Sequence, residues 1–227
     1  MEVKIEERGE NEVAFVLYGV NVRFANALRR AMFAEVPKLA IDVVNVYKNT
    51  SLLYDEQLAL RLALIPLKTK LGDYSADDRI SLTLEAESPG RAGYAMVYSK
   101  ELISSDPEVE PALGNIPIVK LISTEKEISG IRTVARQRIA FEAIARLGRG
   151  KEHAKWQPVT SCAYKIMPDE GAQDEPLSAT KNRSVRLAVE GDGSLPVDEI
   201  ITEAARIMQE KCERVVEELT KLNSDTD

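Results

Sequence analysis

The chain opens by alternating and then begins to cycle. In MEVKIEERGENEVAFVLYGV, Val3 and Ile5 alternate with charged neighbours, residues 9–11 carry turn chemistry, and 13–18 form an apolar return, which together predict a β-hairpin. The apolar spacing then lengthens. Asn21 stands where an N-cap belongs, residues 22–35 read as a helix, and Pro37 stops it. Residues 39–47, β-branched and alternating, predict a third strand. The same style returns near the C-terminus: a strand at 185–190, a Gly-Asp-Gly turn, and Pro196 at the start of a helix that opens with acidic residues and runs to about Leu222.

Both predicted helices are too apolar for one small sheet to cover. In the first, Asn26, Arg29 and Arg30 stand among Phe24, Ala25, Ala27, Leu28, Ala31, Met32 and Phe33. In the second, Val197, Ile201, Ala204, Met208, Cys212, Val215, Leu219 and Leu222 recur every three or four residues, and Ile200, Ile207 and Val216 widen the stripe. At about 1.5–3 kcal/mol per buried large apolar side chain, the stripe is worth on the order of 10–20 kcal/mol of gross burial. This favours a subunit interface over a purely internal core. Cys212, inside the stripe, reads as a small buried hydrophobe.

The middle of the chain has a different texture. Residues 49–167 are short segments punctuated by Pro66, Pro89, Pro107, Pro111, Pro117 and Pro158, and 168–184 are polar and acidic. The expected organisation is α+β. A two-layer α/β dimerisation domain is assembled from 1–48 and 184–227, a mostly β or irregular domain is inserted at 49–167, and an acidic linker follows at 168–183.

Composition narrows the function. Of 227 residues, 44% are hydrophobic and 30% charged, enough for a substantial core. The net charge of −7 and the lack of a basic, aromatic-rich patch argue against direct DNA binding. Two cysteines without CxxC spacing suit a reducing compartment, and no apolar run reaches the ~18 residues of a membrane span, so a cytoplasmic protein is expected. The most enzyme-like stretch is RLGRGKEHAKWQP, residues 146–158. Its glycines and Lys151 suggest a phosphate cradle, and a phosphate- or nucleotide-binding enzyme using 148–155 is the alternative reading. The stretch departs from a P-loop, however: Glu152 follows the lysine and the upstream glycine is missing. His153, the sole histidine, shares no metal-site spacing with Cys162 or Cys212. No residues assemble into a recognisable catalytic set.

Four stretches, taken in order, carry a resemblance: NVRFANALRRAMFAEVPKLAIDVV, YDEQLALRLALIPL, GNIPIVKL and LGRGKEHAKWQP. They resemble the RNA polymerase α-type subunits, most of all the archaeal D-type branch, counterpart of the bacterial α N-terminal domain and the eukaryotic third-largest subunit. The resemblance implies a non-catalytic assembly platform. Its terminal domain would pair with the small α-like subunit L through Phe24, Leu28, Met32, Ile201, Met208, Val215 and Leu219. Asn26, Arg29 and Arg30 would face the second-largest catalytic subunit, where an arginine fork can bind carboxylates or carbonyls bidentately. The inserted domain, with Arg61, His153, Lys155 and Trp156, would dock the small zinc-bearing subunits N and P. Many members carry a cysteine-rich iron–sulfur domain after the segment matching WQPVTSCAYKIMP. With only two cysteines, a Cys₄ cluster cannot be built here. No cofactor is therefore expected on this chain, with magnesium and zinc on other subunits.

Overall fold

The computed structural model describes residues 1–128, 131–167 and 182–224. The expected acidic linker lies almost wholly outside the described residues. In chain order the elements are β1 (Glu2–Arg8), β2 (Glu12–Asn21), α1 (Val22–Ala34), β3 (Pro37–Asn49), α2 (Asp55–Ala63), β4 (Ile80–Glu87), β5 (Gly93–Tyr98) and β6 (Ile103–Ser104). Then follow β7 (Pro117–Ile128), β8 (Ile131–Ala135), β9 (Arg138–Arg149), β10 (Val159–Ile166), β11 (Asn182–Gly191) and α3 (Val197–Ser224). The class is α+β.

The chain divides into two compact units, one of 1–37 with 149–227 and one of 38–148. This corrects the expected boundaries at both ends. The strand at 39–47 leaves the terminal domain because β3 joins β9, β4 and β6 in a sheet of the second unit. Conversely β10 belongs with the termini because it pairs along its length with β11.

The first unit is a four-stranded sheet, ordered β1-β2-β11-β10, with α1 and α3 on one face. Antiparallel register places Val13, Phe15 and Leu17 opposite Val189, Leu187 and Val185, and these buried pairs form the helix-facing layer. Between Leu17 and Val20, β2 bulges against β11, and Gly19 takes φ of 66° there, a conformation that L side chains rarely adopt. The chain then enters α1, where the Asn21 side chain accepts from the Arg23 N–H at 2.9 Å, the expected cap.

The second unit contains the sheet β3-β9-β4-β6, the smaller sheet β5-β7-β8, and α2. Its own core centres on Leu39, Leu58, Leu62, Leu82, Leu121 and Phe141. Arg61 pins α2 to β7, its Nε donating to the Ile118 carbonyl at 2.8 Å and its Nη2 to that of Pro117 at 2.5 Å.

Candidate protein–protein interface

The helix-facing layer of the first sheet is incompletely covered. Along β1, Val3 and Ile5 register with Leu17 and Phe15 and point to the same face, yet each remains 54% exposed. With Phe24 of α1 and Ile201 and Ala205 of α3 they border an open apolar groove of about 290 Å3, floored by Phe15, Leu17 and Leu28. An Arg8–Asp198 ion pair ties the end of β1 to the first turn of α3 beside it. Exposed aliphatic side chains thus surround a buried apolar floor.

Helix α3 supplies the second part. Its 28 residues extend about 42 Å. Val197, Ile200, Ala204 and Ile207 are buried against the body, the pattern of an ordinary core helix. From Gln209 to Leu222 every residue is exposed, including Val215 at 59% and Leu219 at 56%. The apolar stripe read from sequence is thus internal in its first half and bare in its second. Cys212 falls in the bare half and is exposed, which corrects its reading as a buried hydrophobe.

Two further residues expected at the small-subunit interface are corrected in the same way. Leu28 and Met32 project onto the sheet and are buried within this chain, so Met32 has no surface to offer and Leu28 contributes only to the groove floor. Phe24, Ile201 and Met208 keep part of their surface open.

Asn26, Arg29 and Arg30 do not form one cluster. Successive helical residues lie about 100° apart. Asn26 Oδ1 accepts from Arg29 Nε at 3.1 Å and from Nη2 at 3.0 Å, and the guanidinium lies 5.9 Å from the Phe33 ring centre. This pre-set fork faces the β10 side of α1. Burial there pushes the Cys162 thiol up to about 11, with the Arg29 charge pulling weakly the other way. Arg30 turns instead towards α3, beside a groove of about 260 Å3 lined by Ala27, Ala31, Ala34, Glu35, Met208 and Lys211.

The glycine- and lysine-rich loop is a helix cap. A Cβ on Gly150 would stand 2.0 Å from the Phe33 carbonyl oxygen, so only glycine fits, and the Lys151 N–H donates to the Ala34 carbonyl at 3.0 Å. His153 Nδ1 accepts from the Lys155 N–H at 3.1 Å, the Lys155 ammonium sits 4.3 Å from the Trp156 ring centre, and Trp156 is buried. His153, Lys155 and Trp156 therefore belong to the first unit, a correction to their placement with Arg61 in the inserted domain. Nothing here supports the phosphate-cradle alternative, and the Lys151 amide it would use is committed to the α1 terminus. Among the described residues, no three His, Cys, Asp or Glu side chains gather as a metal site.

Sequence reasoning missed Glu35. This C-cap residue of α1 is only 18% exposed at its side chain and accepts from Lys211 Nζ at 2.7 Å, with Lys151 Nζ at 3.9 Å. The Lys211 hydrogen bond, aided by the charges of Lys211, Lys151 and Arg149, outweighs burial and holds its carboxyl below the ordinary value. Its position just before Val36 and Pro37 carries no sequence signal of such a role.

Residues 14–212 match the family described as the RNA polymerase Rpb3/Rpb11 dimerisation domain. The chain belongs to this family. Among similar proteins, DNA-directed RNA polymerase subunit Rpo3 of Pyrococcus furiosus is 38% identical over 275 aligned positions, covering 99% of each chain. Rpo3 of Thermococcus kodakarensis is 38% identical, covering 98% of this chain and 99% of its own. Rpo3 of Methanosarcina acetivorans is 46% identical across 74% of this chain, and the match spans 62% of that relative's length. No helix among the described residues is long and apolar enough to cross a membrane.

Proposed function

We infer that this chain is a non-catalytic assembly subunit of an archaeal, cytoplasmic DNA-directed RNA polymerase. It heterodimerises with the small α-like subunit L through the β1–α1–α3 groove and the C-terminal half of α3. The observation that carries this reading is the change along α3 from buried to exposed while the apolar stripe continues. Subunit L supplies the missing cover: apolar side chains over Val3, Ile5 and Phe24, and a helix alongside Val215 and Leu219. The Asn26–Arg29 fork, with Arg30 on the adjoining face, is offered to the second-largest subunit. The inserted unit receives the small zinc-bearing subunits N and P, its exposed Leu60 and Leu64 beside Arg61 providing apolar surface. The chain itself needs no cofactor, and the catalytic metal chemistry belongs to other subunits.

The test is co-purification of tagged subunit L with Val215→Asp and Met208→Asp variants. The reading expects both to lose subunit L while remaining folded. Undiminished recovery of subunit L with both would overturn it.

A further inference from the structure

Three segments of the first unit converge on one carboxylate. Glu35 ends α1, Lys151 lies in the loop that caps α1, and Lys211 lies on α3. The buried positions Val197, Ile200, Ala204 and Ile207 set the line of α3 that faces the body, and at helical spacing the next position on it is 211. Lysine there marks where the packed core ends. Beyond it, the same face continues as Arg214, Val215, Glu218 and Leu219, with no core beneath. The Lys211–Glu35 contact joins the exposed half of the helix to the body at its root.

Gln209–Glu213 and Lys221–Glu218 are surface contacts within the helix, of a kind that stabilises it only weakly. Isolated helices shorter than ~12–15 residues are marginal in water. Residues 212–222 are such a segment, so their helicity depends on continuing an already formed helix whose direction is fixed at its root. Glu35 suits the task. It is mostly buried, it is itself fixed as the C-cap by its N–H to the Ala31 carbonyl at 2.9 Å, and Gly150 holds the Lys151 loop hard against the same helix end. One oxygen, Oε1, takes Lys211, while Oε2 is buried with no hydrogen-bond donor, so Lys211 is the carboxylate's principal partner.

We propose that Glu35 is a positioning residue for the partner-binding helix: it clamps Lys211 and thereby orders and aims residues 212–222. The proposal rests on the partner reading above, but its first test does not. Amide hydrogen exchange is measured on the full chain without partner, for wild type, Glu35→Gln, Lys211→Met and Lys211→Arg. Glu35→Gln and Lys211→Met are each expected to speed exchange of amides 212–222 at least tenfold while leaving 197–207 within twofold, and Lys211→Arg, which keeps the charge facing Glu35, to retain most of the protection. Lys211→Met leaves the α1 cap intact, so it decides the matter if changes at Glu35 impair folding. Exchange at 212–222 within twofold of wild type in Lys211→Met would overturn the clamp, as would exchange in Lys211→Arg as fast as in Lys211→Met. With subunit L added, Glu35→Gln and Lys211→Met are expected to bind about tenfold more weakly. A wild-type chain that ignores subunit L yet shows the exchange pattern would contradict the partner reading and leave the clamp standing.

Discussion

The two halves of α3 share one sequence style and have opposite surroundings. From Val197 to Ile207 the apolar side chains sink into the sheet and α1, and from Val215 to Leu222 chemically similar side chains stand in solvent. A hydrophobic stripe therefore reports that a surface wants cover and says nothing of who provides it. The same holds for the sheet, where Phe15 and Leu17 are buried while Val3 and Ile5, in register beside them, are not.

The contrast is broken most sharply by placing one charge in each half. Ile200→Asp puts an uncompensated carboxylate at a fully buried site and is expected to cost more than about 4 kcal/mol, seen as loss of the cooperative unfolding transition. Val215→Asp is expected to leave the urea midpoint of the lone chain almost unchanged. Gly150→Ala comes next: its methyl group meets the backbone of Phe33, so a loss of about 3 kcal/mol is expected in chemical denaturation. Truncations give the same contrast more gently. Ile207→Ala should cost about 2–5 kcal/mol and Leu219→Ala less than about 0.5 kcal/mol in the lone chain.

The smallest effect is electrostatic. The folded-state value of Glu35 lies below its ordinary 4.5, so the carboxylate's contribution to stability is present at neutral pH and above 4.5. It is lost as pH falls through the lower folded-state value. The stability gap between wild type and Glu35→Gln should thus be flat from pH 7 to 5 and close in more acid solution, as read from urea midpoints. A gap independent of pH down to complete protonation would remove the ionised carboxylate from the account.

Much of this was readable in the residues. The hairpin, the Asn21 cap, both terminal helices and the excess of apolar helix surface follow from periodicity and capping chemistry. What was not readable depended on pairing between distant segments. Residues 39–47 look like any β-branched strand, and nothing local says that they pair with β9 rather than with the terminal sheet. Leu28 and Met32 differ from Phe24 only in helical phase relative to a sheet whose position the sequence does not specify. The loop at 148–155 suggested phosphate because Gly-Lys chemistry suits an exposed nest. Gly150 is required instead by its approach to the end of α1, a contact between residues more than a hundred positions apart.

The central claim is that the bare half of α3 and the β1 groove are a subunit interface. The most direct measurement is light scattering on the chain expressed alone and together with the small α-like subunit L of archaeal polymerase. The account predicts a one-to-one complex when both are present. A well-behaved monomer whose mass does not change when subunit L is present would contradict it.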